Sequence, residues 1–188
     1  FRKKVIDKSK NKFLIVREQG VGDEILYGSM YGDLLKNIEN IIIECDPRLL
    51  NLFKRSFPEY SNRFAELGSI SSKDHELEKF DYVLYAGSLG KYYRKKVSDF
   101  INKPYIKVDE EKYKKTQNKL LKYKNKYNIG ISWKSFNNRY ASDKSLYLND
   151  FKKVFKLPNC NVFNLQYGDV TDEINDLNNK KNKLLNIE

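Results

Sequence analysis

Two acids stand where a phosphate loop would hold none. In "REQGVGDEILYG", Arg17 to Gly28, an apolar run gives way to Gly20 and Gly22, and Asp23 and Glu24 follow at the start of a helical pattern. A dinucleotide fingerprint requires G-x-G-x-x-G, and the third glycine place is occupied by Ile25. Both carboxylates would also repel a pyrophosphate at that helix start. The free N–H groups and the positive end of a helix dipole do favour a carboxylate there. Asp23 therefore reads in one of two ways: as the helix N-cap, or as a general base facing a cleft.

Other chemistries find less support. "GSLGK", Gly87 to Lys91, is too short between its glycines for a P-loop. His75 is the single histidine and lies in the polar stretch "SSKDHELEKF", which reads as surface and argues against a Ser–His–Asp or Cys–His mechanism. No C-x-x-C, H-x-x-x-H or D-x-D spacing suggests a metal site. Cys45 and Cys160 each close or interrupt an apolar stretch, the pattern of buried free thiols in a reducing compartment. Further along, "GISWKSFNNRYASDKSL" places Ser132, Trp133, Lys134 and Arg139 after an apolar run. Hydroxyls and fixed cations in that mixture can grip a phosphate, or belong to a solvated loop. Trp133 reads equally as a core anchor or a stacking surface. Gln166, in "NLQYGD", lies just past another apolar run.

Elements that could position these residues follow from the periodicity. "KFLIV" (12–16), "NIIIEC" (40–45), "FDYVLYAGSLG" (80–90), "YNIGISW" (127–133) and "NVFNLQYG" (161–168) read as strands. Ile25, Leu26, Met30, Leu34, Leu35 and Ile38 recur at helical spacing, and Asp46–Pro47 is an N-cap followed by proline at the first helical position. A long charged helix is expected from Asp109 to near Lys126, a capped helix over "SLYLNDFKKVF", and a polar helix from Thr171. Strands alternating with helices predict an α/β fold, a Rossmann-like doubly wound parallel sheet. Such sheets bind ligands at the carboxyl ends of their strands, which directs attention to the loops after Val16 and Ala86.

The pattern restarts near Pro104, so the sequence divides into a first Rossmann-like domain (1–108), a linker helix (109–126) and the start of a second Rossmann-like domain (127–188). The last is too short for a core of its own. The opening on Phe1 suggests an internal stretch of a longer protein. Forty per cent hydrophobic residues exclude extensive disorder, and no apolar run is long enough to cross a membrane. The net charge of +11 is spread along the whole chain. The Lys/Tyr-rich runs 91–96 and 110–126 read as solvated faces or as contacts to an anionic partner, and no nucleic-acid motif accompanies them.

Taken in order, "REQGVGDEILYGSMYGDLL", "IIIECDPRLLNLFKRSFP", "YAGSLGKYYR", "YIKVD", "IGISWKS" and "NLQYGD" resemble a known family. It is the glycosyltransferase-like region that follows tetratricopeptide repeats in many bacterial proteins, related to the lipopolysaccharide heptosyltransferases. The likeness runs from about Lys12 to Asp172. It implies a cytoplasmic, metal-independent, inverting enzyme without a cofactor. Such an enzyme moves sugar from a nucleotide-sugar to a hydroxyl of a glycan, lipid or protein. By resemblance, Asp23 is the base, and Gln19, Gly20, Gly22, Gly87 and Ser88 line the acceptor side. Ser132, Trp133, Lys134, Arg139 and Gln166 then serve the donor side, in a second domain that in the family continues further. The alternative is a non-catalytic module that binds a phosphorylated ligand or a protein.

Overall fold

A computed structural model describes residues 7–100, 102–136, 142–179 and 183–187. The chain divides into two compact units, 1–109 and 110–188. The first is built on four parallel strands, β1 (Phe13–Val16), β2 (Ile41–Cys45), β3 (Phe64–Glu66) and β4 (Tyr82–Tyr85), in the order β3-β2-β1-β4. Register pairs Leu14 with Ile42 on one side and with Val83 on the other. This confirms the expected α/β class with a parallel, Rossmann-like sheet.

The strand order dictates where the helices lie. From β1 to β2 to β3 the chain steps in one direction, so right-handed crossovers place α1 (Val21–Gly28), α2 (Tyr31–Asn37) and α3 (Pro47–Ser56) over one face. Phe13, Ile15, Ile41, Ile43 and Phe64 point into that layer and meet Tyr31, Leu34, Leu49 and Phe53 in one core. The step from β3 back past β1 to β4 reverses direction. Its connection, which carries α4 (Asp74–Leu77), runs over the other face, where Ile70 and Ser71 donate backbone N–H bonds of 2.7 and 2.9 Å to buried Glu44. The reversal makes the gap between β1 and β4 a topological switch point, where open α/β sheets leave a crevice at the strand carboxyl ends.

Local chemistry sets the element boundaries. Asp46 accepts from the Arg48 N–H at 2.9 Å and Pro47 takes the first helical position, the cap expected from sequence. The helix expected across 25–38 is instead two, broken at Ser29–Met30, where the Ser29 hydroxyl donates to the Leu26 carbonyl at 2.7 Å; Gly28, the last residue of α1, packs so close to Phe53 and the Tyr105 hydroxyl that a Cβ would stand 2.8 and 2.6 Å from them. Leu26, on the periodic list, is 63% exposed. β3 has no apolar run to announce it.

The second unit carries α6 below its own parallel pair; helix α5 (Gly90–Tyr93) closes the β4 loop of the first. α6 (Glu110–Leu120) is shorter than expected, ending in a 3-10 turn over Leu121–Tyr123. β5 (Tyr127–Ile131) pairs in parallel with β6 (Cys160–Asn164), and Leu185 bridges to Phe163. The helix expected over 145–155 is a 3-10 turn followed by the short α7 (Lys152–Phe155), and α8 (Thr171–Asn179) starts where predicted. Ile131, Trp133, Leu148, Val162, Val170, Leu177 and Leu184 form a small core of this unit. This corrects the expectation that 127–188 is too short for a core of its own: the members are scattered singly between polar residues and come together only on folding.

Candidate functional site

The chain leaves β1 through Arg17, Glu18, Gln19 and Gly20 and enters α1. Arg17 organises this turn. Its Nε lies 2.8 Å from Glu24 Oε2, its Nη1 donates to Asp46 Oδ2 at 3.0 Å, and its Nη2 donates to the Gln19 carbonyl. Glu24 is fully buried, and its Oε1 accepts from the Asp46 N–H at 2.9 Å. The ends of β1 and β2 are thus fastened together by one arginine and two carboxylates. Burial pushes the Glu24 carboxyl up from its usual range. The Arg48 side chain, bonded to both Asp46 oxygens at 2.8 Å, holds Asp46 well below its own. Gln19 sits at φ 64°, the left-handed region that non-glycine residues seldom occupy, with its carbonyl held by Arg17.

Asp23 is one helical position away from Glu24 and faces elsewhere. Gly20, not Asp23, is the N-cap of α1. Asp23 is the third helical residue, and its Oδ2 accepts from the Gly20 N–H at 3.1 Å. The carboxylate therefore does stabilise the helix start, from a position three residues beyond the cap. One oxygen is engaged in this way, and Asp23 pairs with no cation among the described residues.

Opposite β1, the chain leaves β4 in a 3-10 turn over Ala86–Leu89. Gly87 is pressed against the first loop: a Cβ there would collide with Glu18 Oε1 and stand 3.2 Å from Tyr27 Cζ. Only glycine lets the two strand ends approach so closely. Half-buried Ser88 follows, with its hydroxyl bonded to no described residue. Glu18, Tyr27 and Gly87 thus meet where the β1 and β4 loops adjoin, with Ser88 next to Gly87 in the chain and Asp23 one turn before Tyr27 in α1. Gln19 and Gly20 are exposed, and exposed Gly22 has open space where a Cβ would be. Glu18 was not singled out by sequence. Its place immediately after a strand is visible there, but its meeting with Gly87 depends on β1 and β4 being neighbours.

The strand end of the second unit is built differently. Gln166 is buried, and its Oε1 accepts from the Trp133 N–H (2.8 Å), the Lys134 N–H (2.8 Å) and the Ser132 hydroxyl (3.1 Å). Its Nε2 donates to the carbonyls of Lys134 (2.8 Å) and Tyr167 (2.9 Å). Trp133 is 3% exposed and belongs to the core, so the open choice between anchor and stacking surface resolves to anchor. Its Nε1 donates to Glu173 Oε2 at 2.9 Å, and Lys134 Nζ meets Glu173 Oε1 at 2.5 Å. These bonds hold Glu173 below its usual range against the opposing effect of burial. A cavity of about 450 Å³ adjoins, lined by Lys134, Ser145, Tyr147, Asn149, Glu173 and Leu177 among others. Arg139 lies outside the described residues.

Among the described residues, no three His, Cys, Asp or Glu side chains converge as a metal-ligand set, and no helix is long and apolar enough to cross a membrane. Both cysteines are free, Cys45 buried and Cys160 partly so. His75 is exposed, 3.5 Å from Glu76.

The chain is 24% identical to protein FlbA of Caulobacter vibrioides over 177 residues, which cover 87% of this chain and 29% of that protein. It therefore spans less than a third of the length of this curated relative. No family model and no solved structure matches it.

Proposed function

We propose that the chain is part of a glycosyltransferase that moves a sugar from a nucleotide-sugar to an acceptor hydroxyl, with the acceptor in the crevice between β1 and β4. The observation that carries this reading is Asp23. It is a carboxylate at a helix start, on the loop that leaves β1 at the topological switch point, with one oxygen on the Gly20 N–H and no cation paired with it among the described residues. Such a group can accept a proton. In the proposed step an Asp23 oxygen takes the acceptor hydroxyl's proton and the acceptor oxygen bonds to the anomeric carbon. The bond from that carbon to the nucleoside diphosphate breaks, and configuration inverts. Ser88 and the Gln19–Gly22 backbone orient the acceptor. The close fit of Gly87 keeps the crevice narrow, which favours a fixed geometry for attack.

Donor contacts are assigned to the second unit. Lys134 retains two further N–H donors beside its bond to Glu173, and Ser132 is exposed at the strand end. Gln166 and Trp133 act there by holding the loop in shape. Charge stabilisation of the leaving diphosphate by Lys134 and Arg139 would replace a metal ion.

Transfer from a panel of nucleotide-sugars, run with and without chelator, tests the reading. Chelator-insensitive transfer from one donor supports it. Calorimetric binding of sugar-free phosphates with no donor bound and no transfer would instead identify a binding module.

A further inference from the structure

The helical layer over the first sheet stops short of its edge. α1, α2 and α3 cross over β1, β2 and β3, whereas β4 is an edge strand, paired among the described strands only with β1. Register places Tyr82 beside Phe13 and Leu84 beside Ile15, so both point to the helix-bearing face. Only the four-residue α5 follows there, and Tyr82 and Leu84 stay half-buried. A cavity of about 470 Å³ lies on this face, within the range of about 300–1,000 Å³ typical of small-molecule sites. It is lined by Phe13, Tyr82 and Leu84 of the sheet, Leu34 and Ile38 of α2, and Tyr92 of α5. The Phe13 and Tyr82 rings stack with centroids 5.0 Å apart.

One charged residue joins this apolar lining. Lys8 stands in the turn before β1, and its ammonium has no ion pair or hydrogen bond with any described residue. No carboxylate lines the cavity. Of the acids next to lining residues in the chain, Asp7 is engaged by Ser9 and Lys10, Asp33 by Arg94 and Asp81 by the Lys12 N–H. The remaining one, Glu39, is exposed.

We infer that this cavity binds a single-chain anionic amphiphile, an acyl carboxylate, with its tail between α2 and α5 and its head on Lys8. Apart from Lys8 and tyrosine hydroxyls, the lining side chains offer no donor or acceptor, so a sugar or a nucleotide would leave polar groups unpaired there. A hydrocarbon tail requires no such partner and gains with every methylene it buries. The polar part of such a ligand is confined to one end, and the lining supplies one cation at one place. A carboxylate on Lys8 makes a charge-assisted contact, and no lining acid opposes it. None of the lining residues belongs to the proposed sugar-transfer site, so binding here is measured without any turnover.

Calorimetric titration of the full chain with decanoate, decanol and decyltrimethylammonium, each below micelle formation, tests the assignment. Decanoate is expected to bind tightest, one molecule per chain, and the cationic amphiphile weakest. Lys8→Gln, in an exposed turn, is expected to weaken decanoate about tenfold, the loss of one charge-assisted contact, and to leave decanol unchanged. Lys152→Gln, at an exposed position of the second unit, is expected to change neither, which separates the cavity from attraction to the net charge of +11. Leu84→Trp fills the cavity and is expected to abolish binding of all three; if that variant does not fold, the ranking and Lys8→Gln decide. The inference is overturned if decanoate fails to bind, binds in several copies, or binds no tighter than the cationic amphiphile. Binding that is insensitive to Lys8→Gln, equally weakened by Lys152→Gln, or retained in folded Leu84→Trp overturns it as well.

Discussion

Two strand ends in this chain carry similar residues and treat them in opposite ways. At the end of β5 the named polar side chains are engaged with one another: the Gln166 side chain makes five hydrogen bonds, and Lys134 and Trp133 share Glu173. At the ends of β1 and β4, Glu18 and Ser88 have no described partner and Asp23 has one backbone bond. Beside them Arg17, Glu24 and Asp46 form an ion-paired cluster that ties the ends of β1 and β2, with Arg17 Nε and Glu24 Oε2 in ion-pair contact at 2.8 Å but without a hydrogen bond. Saturated polar groups fix a loop, and unsaturated ones on a fixed support are what a ligand can engage. The contrast is what the proposed acceptor site at the ends of β1 and β4 rests on.

The largest effect should come from the support beneath the crevice. Glu24→Ala removes one of the two carboxylates paired with partly buried Arg17 and the acceptor of the buried Asp46 N–H, and is expected to cost roughly 3–5 kcal/mol in urea denaturation. Gln166→Ala strips the acceptor from two backbone N–H groups, one of them on buried Trp133, and should cost about 2–4 kcal/mol. A smaller loss at Gln166 than at an exposed surface site would break the claim that it organises the second strand end. Gly87→Ala should cost about 1–3 kcal/mol by overpacking against Glu18 and Tyr27. Glu18→Ala should change stability by less than about 0.5 kcal/mol, since Glu18 makes no hydrogen bond or ion pair with a described residue.

Acidity separates the two buried carboxylates. Asp46 is held below its usual range, so its stabilisation is complete above the unfolded value, near pH 4, and fades as pH falls through the lower folded value. Glu24 is raised by burial, so its contribution has the opposite sign: present below the unfolded value and lost as pH rises through the folded one. Asp46→Asn should therefore flatten the acid side of the stability–pH curve, followed by urea midpoints down to about pH 3. An unchanged acid limb would show that Asp46 gains nothing from Arg48.

What could be read from sequence depended on how local the cause was. The Asp46–Pro47 cap needs only neighbouring residues, and it was legible. The β strands with continuous apolar runs were legible for the same reason. Phe64–Glu66 was not, because three residues carry no period and only pairing with β2 makes them a strand. The close packing of Gly28 against Phe53 and Tyr105, both distant in the chain, was not legible either. Asp23 and Glu24 look equivalent in sequence, and the turn of α1 sends one into the crevice and the other under it. Glu18 was missed because its meeting with Gly87 depends on strand order, which periodicity does not encode. Trp133 and Gln166 were noticed, but their full hydrogen bonding appears only once β5 and β6 are paired.

The central claim is that the unneutralised carboxylate of Asp23 performs chemistry while its bond to Gly20 merely holds the helix start. Asp23→Asn preserves an oxygen for that bond and removes the basicity. The most direct measurement is therefore the transfer rate of Asp23→Asn against the wild type, on samples whose urea midpoints agree to within about 1 kcal/mol. The account predicts a fall in kcat of about 100-fold or more. Wild-type turnover by a folded Asp23→Asn variant would contradict it.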